Sequence, residues 1–302
     1  MRVKYEQSTF NMHPSVAGGT SANWADFLCN ILGWLKRIGA PINVDTVAIS
    51  KFSDSTTAKG IASVTVRFDG EDTDPDSWWL GSLYLRVYET TYDNTVYLET
   101  RAWMYDPHEE LYIYTNNVPL GAANSTDIYW VTAQGLKSGN SFYFGFGKWG
   151  GFINCAITPV RRLSDPTAEV GYGLVAGSYM SVDGTYYMSK TVPYVDGFNY
   201  GVFHTSLGWP YMPDIFVYPE VETGKIPLMP LFAGVEDLYY ENVYITPMRS
   251  NGQEVKAFET DKGTFLISNT YMSDSDDNLI NWTEHGCCQL AFDITEAMNS
   301  AT

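Results

Sequence analysis

The sequence predicts an α+β chain that is mostly β: an antiparallel sheet covered by one N-terminal amphipathic helix, followed by a β-rich second domain. Three observations carry that expectation. Only the stretch from Asn23 to Ile38 has a helical period, with Trp24, Phe27, Leu28, Ile31, Leu35 and Ile38 falling on one face. Nearly everything after it alternates apolar and polar residues with a period of two. Turn formers such as Asp93-Asn94, Ser138-Gly139-Asn140, Asp183-Gly184 and Asp261-Lys262-Gly263 join the alternating runs. A lone amphipathic helix among many strands buries its stripe by covering a sheet face.

Residues 1–22 are polar and contain Gly18 and Gly19. They are expected to form an N-terminal arm leading into the helix, either frayed or laid against a neighbouring subunit. Asn23 is placed to cap the helix, with Asp26 near the positive end of its dipole. Lys36 and Arg37 complement the last turn, Gly39 can take the left-handed stop, and Pro41 forbids continuation.

The α+β domain is expected over residues 23–165. Its first strands are Val44–Ile49 and Ile61–Phe68; the second puts Ala62, Val64, Val66 and Phe68 on one face and Ser63, Thr65 and Arg67 on the other. A hairpin follows, in which Leu83, Leu85 and Val87 alternate with Tyr84, Arg86 and Tyr88 before Asp93-Asn94, and Val96, Leu98, Thr100 and Ala102 resume the pattern after it. An aromatic run at Leu111–Thr115 and strands at Asp127–Thr132, Ser141–Phe146 and Phe152–Val160 complete the domain. The polar stretch from Arg161 to Thr167, with Pro166, marks a boundary. Residues 166–302 are then the β-rich domain. It holds a hairpin at Ser178–Ser189, an irregular Pro- and aromatic-rich excursion at about 193–230, and strands at Leu238–Thr246, Val255–Thr260, Thr264–Ser268 and Cys287–Ile294.

Composition narrows the classes of function. A net charge of −17, from 18 basic and 35 acidic residues, repels a phosphate backbone, so direct sequence-specific nucleic-acid binding is not expected. The 22 Tyr, 15 Phe and 9 Trp fill β cores and also suit interfaces that are part dry and part wet. The four cysteines, at 29, 155, 287 and 288, make no disulfide framework for a chain of this length, so a reduced, cytosol-made protein is expected. No run approaches a membrane span, and the N-terminus lacks the apolar core of a signal peptide, so no membrane partner is expected.

Motifs with chemical meaning fail on their context. Gly145-Phe-Gly147-Lys-Trp-Gly150 spells a dinucleotide fingerprint, but the β-branched run after it cannot open the helix that would meet a pyrophosphate. Gly171, Gly173 and Ala176 fail for the same reason. The acidic loop Asp69–Ser77 lacks the Gly and Glu of a helix-flanked calcium loop, counting from Asp72, and Asp274–Asn278 has Leu279 where Gly is needed. His285, Cys287 and Cys288 have no second pair of ligands to complete a zinc site. No nucleophile elbow or thiol-nucleophile signature is present. Neither cofactor nor metal is expected, and no catalytic residue is assigned. A glycosidase carboxylate pair meets in space and leaves no sequence mark, so sugar chemistry stays open as the alternative. Trp149, Trp209 and Trp282, beside Gly, Pro or polar residues, are the candidate exposed aromatics for binding a glycan or a partner.

The order of elements resembles a family. A Gly-Thr segment leads into one amphipathic helix in GGTSANWADFLCNILGWLKRIGAP, and an R-x-Y-E step with a later Trp follows in LYLRVYETTYDNTVYLETRAW. A short aromatic strand, a polar turn and a Gly-Phe return occupy DIYWVTAQGLKSGNSFYFGFGKWGGFINCAITPV, and GYGLVAGSY comes next. The closing part runs from IPLMPLFAG through YYENVYITPMRSNGQEVKAFETDKGTFLISN. Together these stretches resemble structural proteins of tailed-bacteriophage virions over most of residues 18–270. The Pro-rich stretch 193–219 has no place in that pattern. The resemblance implies a non-enzymatic part of the neck or collar, tail or baseplate, made in the bacterial host cytoplasm and built into the virion. It also implies a symmetric homo-oligomer whose partners are other virion proteins. The alternative is a carbohydrate- or receptor-binding protein, with or without glycan cleavage.

Overall fold

The computed structural model describes residues 4–17, 21–51, 53–68, 81–105, 110–114, 118–148, 151–167, 169–177, 189–195, 198–199, 203–205, 229–232, 237–246, 256–260, 263–267 and 289–295. The protein is mostly β, with strands in two antiparallel sheets and one long helix packed on a sheet, as its alternation and single helical stripe predict. Two compact units divide the chain. One comprises Lys4–Lys137 with Phe144–Ile153; the other comprises Met1–Val3, Ser138–Tyr143 and Asn154–Thr302.

In the first unit, strand β1 (Lys4–Met12) and a short helix α1 (Pro14–Ala17) precede the long helix α2 (Ser21–Arg37). A six-stranded sheet follows, made of β2 (Ile42–Ser50), β3 (Ala58–Phe68), β4 (Gly81–Thr90), β5 (Thr95–Tyr105), β6 (Glu110–Tyr114) and β7 (Val118–Ala122). Its order is β2-β3-β4-β5-β6, with β7 also pairing β5. The β4–β5 hairpin turns where expected, with Asn94 in the left-handed region at φ 51°. Strand β8 (Tyr129–Ser138) pairs antiparallel with β1 over the whole length of β1, from Lys4 opposite Lys137 to Met12 opposite Tyr129. Residues 4–12 therefore pair within their own chain, where the sequence suggested a frayed or intersubunit arm. Their period of two is hidden by polar composition: Met12 is buried and Phe10 half-buried, while Gln7, Thr9 and Asn11 are exposed.

Helix α2 begins at Ser21, so Asn23 lies in its first turn and is not the cap. Its end follows the expected design. Ala40 N–H donates to Leu35 O at 2.9 Å, Gly39 N–H donates to Lys36 O at 3.0 Å, and Gly39 has φ +104°. These are the two bonds of a Schellman stop, which satisfy carbonyls the helix leaves open. The buried stripe is wider than the sequence pattern: Ala25, Leu32 and Trp34 join Trp24, Phe27, Leu28, Ile31 and Leu35. At 100° per residue these side chains cover about half the circumference. The cause is that α2 packs both on β2–β4 and on β1. Phe10 meets Trp34 edge-on at 5.8 Å, and Trp24 meets Tyr129 of β8 at 5.4 Å. Gly135 of β8 lies so close that a Cβ there would run into Ile38 and approach Trp34 at 3.3 Å. Buried side chains on this scale contribute about 1.5–3 kcal/mol each, offset by ordering entropy.

Strands β9 (Ser141–Lys148) and β10 (Gly151–Arg162) come next in the chain. Gly145 and Gly147 sit within β9, whose residues 141–147 are all buried, and the chain returns as β10. The segment thus follows the strand–turn–strand reading, since no helix opens where a dinucleotide site requires one. Gly171, Gly173 and Ala176 likewise lie within a strand, β11 (Glu169–Gly177).

In the second unit, β10 pairs with β11, and β11 with β12 (Ser189–Val195), which also carries the short strands β13 (Phe198–Asn199) and β14 (Phe203–Thr205). Strand β15 (Met229–Phe232) pairs with β16 (Leu238–Thr246). The closing strands are β17 (Lys256–Thr260), β18 (Gly263–Ile267) and β19 (Gln289–Asp293). Strand β16 changes partner midway: Leu238–Tyr240 pair with β10, and Val243–Thr246 pair with β19. Asn242 lies between the two segments in the left-handed region, at φ 61°. Residues 178–188 of the hairpin expected at Ser178–Ser189, the acidic loop Asp69–Ser77 and most of the excursion at 193–230 lie outside the described residues.

Candidate functional site

Alternation along β3, β4 and β5 gives the six-stranded sheet two unlike faces. Ala62, Val64, Val66, Leu83, Leu85, Val87 and Leu98 form the apolar one, all at most 1% exposed. The other face is polar and aromatic. Register sets Ser63 beside Arg86 and Arg86 beside Glu99, Thr65 beside Tyr84 and Tyr84 beside Arg101, and Tyr88 beside Tyr97.

Glu99 is the one buried carboxylate among the described residues, at 5% exposure. Arg86 Nε donates to Glu99 Oε2 at 2.8 Å, and Arg86 Nη2 donates to the same oxygen. Arg101 Nε donates to Glu99 Oε1. Both carboxylate oxygens are thus held by guanidiniums, which is what lets this charge stay buried. Each arginine also leans on a tyrosine ring, Arg86 over Tyr88 at 4.9 Å and Arg101 over Tyr84 at 5.9 Å. Tyr88 stacks on Tyr97 at 5.9 Å. Burial, and then the nearby Glu99 charge, push the Tyr88 phenol well above its ordinary value. Ser63 and Ser50 share a 2.9 Å hydrogen bond at the β2 margin.

Chemically, this face offers flat amphipathic surface and directional donors. A general acid needs a carboxyl group kept neutral by a dry or anionic setting. Glu99 has both oxygens engaged by the Arg86 and Arg101 guanidiniums. Tyr84, Arg86, Tyr97 and Arg101 are each partly exposed, and Tyr and Arg are the residue types enriched at protein contacts.

A second polar cluster surrounds the partner change of β16. Thr158 Oγ1 donates to Glu241 O at 2.5 Å, Ser141 Oγ lies 2.8 Å from Thr158 Oγ1, and Asn242 Nδ2 donates to Ser141 Oγ at 3.4 Å. Arg161 Nη2 meets the Glu241 carboxylate at 2.9 Å. This cluster satisfies a backbone carbonyl at the point where β16 leaves one ladder for another, a structural duty.

Trp149, Trp209 and Trp282 all lie outside the described residues, as do His285, Cys287 and Cys288. The arrangement of those candidate binding residues is therefore outside what the structure describes, and the Tyr/Arg face was not singled out from sequence. Its signal was present as alternate residues of two strands, and its coherence needed the register. Cys155 is buried and its thiol is pushed up to about 12 by desolvation, so it is protonated and inert near neutrality. The Cys29 thiol is also raised, by burial and by Asp26. Among the described residues no three of His, Cys, Asp and Glu are grouped to hold a metal ion. No helix among them is long and apolar enough to cross a membrane. No family model and no curated protein matches the chain.

Proposed function

We propose that the chain is a non-enzymatic structural component of a tailed-phage virion, placed at the neck or collar, tail or baseplate and working through protein–protein contacts. The observation that supports this reading best is the Tyr/Arg face of the six-stranded sheet, built from Tyr84, Arg86, Tyr88, Tyr97 and Arg101 around Glu99. Its composition is that of a contact surface, and the ion pairs make it rigid before any partner arrives. The order of elements and the acidic total accord with the same reading, since a chain at −17 stays soluble and does not adhere to packaged DNA. The partners are other virion proteins and further copies of this chain.

The test mixes purified chain with isolated head–tail components and measures the mass of what forms under native conditions. Assembly onto a component is expected, and Tyr84→Ala or Tyr97→Ala is expected to weaken it about tenfold or more if the face is the contact. A chain that binds no component overturns the reading. Glycan-array binding lost in Trp149→Ala, Trp209→Ala or Trp282→Ala would replace it with the carbohydrate-binding alternative.

A further inference from the structure

The β1–β8 pair has a second face, turned away from α2. Phe10, Tyr129 and Gly135 meet the helix, so the alternate positions look the other way. Register sets Gln7 opposite Gln134 there, Thr9 opposite Thr132, and Asn11 opposite Trp130. Gln7, Thr9 and Asn11 are exposed, and Trp130 and Thr132 are half-buried. These six residues offer three amides, two hydroxyls and one indole, and none is charged, in a chain whose net charge is −17. Gln134 is the anomaly. It is 4% exposed, and its Oε1 accepts no hydrogen bond among the described residues. A buried amide left half-satisfied weakens a fold, and an apolar side chain in its place does not. Leu136, two residues on and on the same face, is buried without difficulty, so the packing here does not call for a polar group.

We propose that this face binds a neutral glycan. Sugar hydroxyls both donate and accept, as side-chain amides and threonine hydroxyls do, and they carry no charge that a residue must answer. The C–H face of a sugar ring packs on an indole such as that of Trp130, whose N–H keeps a polar edge. Gln7, exposed and directly opposite Gln134, can swing aside for an entering hydroxyl, which gives Gln134 Oε1 the donor it lacks. Other ligand classes match this chemistry less well. A protein contact is built around an apolar or aromatic centre, whereas amides and hydroxyls make up five of these six side chains. An anionic polymer meets no cation among the six and a strongly acidic chain around them. The proposal stands apart from the virion reading, which rests on the six-stranded sheet.

Titration of the full chain with neutral gluco-, manno- and galacto-oligosaccharides, followed by saturation-transfer NMR, tests it, with an oligogalacturonate as the charged comparison. A neutral series is expected to bind in about the millimolar range, because an open sheet face buries little of its ligand. The oligogalacturonate is expected not to bind. Asn11→Ala should weaken binding about tenfold and Thr9→Glu should abolish it. Both positions are exposed, so urea midpoints should stay near the parent's. Tyr92→Ala, at the 96% exposed tip of the β4–β5 turn, should leave binding unchanged. Gln134→Leu separates the roles: stability should hold or rise while glycan affinity falls, which a glutamine kept for the fold would not show. The proposal is overturned if no neutral series binds, or if binding is indifferent to Asn11→Ala and Thr9→Glu. It is equally overturned if Gln134→Leu loses stability and keeps its affinity, or if binding disappears only in Trp149→Ala, Trp209→Ala or Trp282→Ala. Assembly onto head–tail components is measured separately, so this proposal and the virion reading fail separately.

Discussion

The two faces of the six-stranded sheet arise from the same strands and differ in how each satisfies what it buries. Beneath the apolar face, Val64, Val66, Leu85 and Leu98 are fully buried and need nothing beyond shape. On the polar face, Glu99 and Tyr88 are nearly as hidden, at 5% and 6%, and depend on particular partners. Glu99 has Arg86 and Arg101; Tyr88 has Arg86 and Tyr97. Burial by itself therefore does not separate packing from recognition. The distinction lies in whether the buried group is interchangeable with another of similar volume.

The largest effect is expected from a charge placed on the apolar side. Ile31→Asp or Leu35→Asp in α2 leaves an unpaired carboxylate between layers where both positions are fully buried. The loss expected is about 4 kcal/mol or more, seen as a lower urea midpoint or outright unfolding. A variant that stays as stable as the parent would show that α2 does not dock on the sheet. On the polar side, Glu99→Ala leaves two guanidiniums adjacent. Arg86 and Arg101 keep 18% and 24% of their side-chain surface in water, which softens the penalty to about 2 kcal/mol. Unchanged stability there would mean the carboxylate is retained for binding and not for the fold.

The smallest effect expected is one of pH. Burial raises the Tyr88 phenol above the ordinary tyrosine value of about 10 in the folded chain. The unfolded chain therefore ionises first, and the stability held by neutral Tyr88 is complete below about pH 10 and declines as pH rises beyond it. Tyr88→Phe should remove part of that decline, leaving a residue from Tyr129 and Tyr244, whose phenols burial also raises. Urea midpoints at about pH 9 and about pH 11 read the difference. A slope equal in parent and variant would place Tyr88 in water.

Much of this architecture is legible in the sequence because period and turn chemistry are local. The hairpin around Asp93-Asn94 follows from alternation plus a residue tolerant of positive φ, and the helix stop follows from Gly39 and Pro41. Strand β16 is bounded at Leu238 and Thr246, as its pattern indicates. What escaped is set by partners distant in the chain. The polar strand β1 gains its place from β8, and Leu32 and Trp34 are buried only because α2 has strands on two sides. The partner change at Asn242 is equally invisible, since each half of β16 alternates normally. The Tyr/Arg face stayed hidden because register, and not spacing, brings Glu99 to Arg86.

The close seating of α2 against Gly135 has a consequence for how the chain is made. A helix that needs β1 from before it and β8 from well after it cannot finish its burial when it first forms. During synthesis its Trp24 and Trp34 side stays uncovered until residues 129–137 have left the ribosome. That interval is when the helix is most open to chaperones and to mispairing, and the missing side chain of Gly135 leaves the room β8 needs against Ile38 and Trp34.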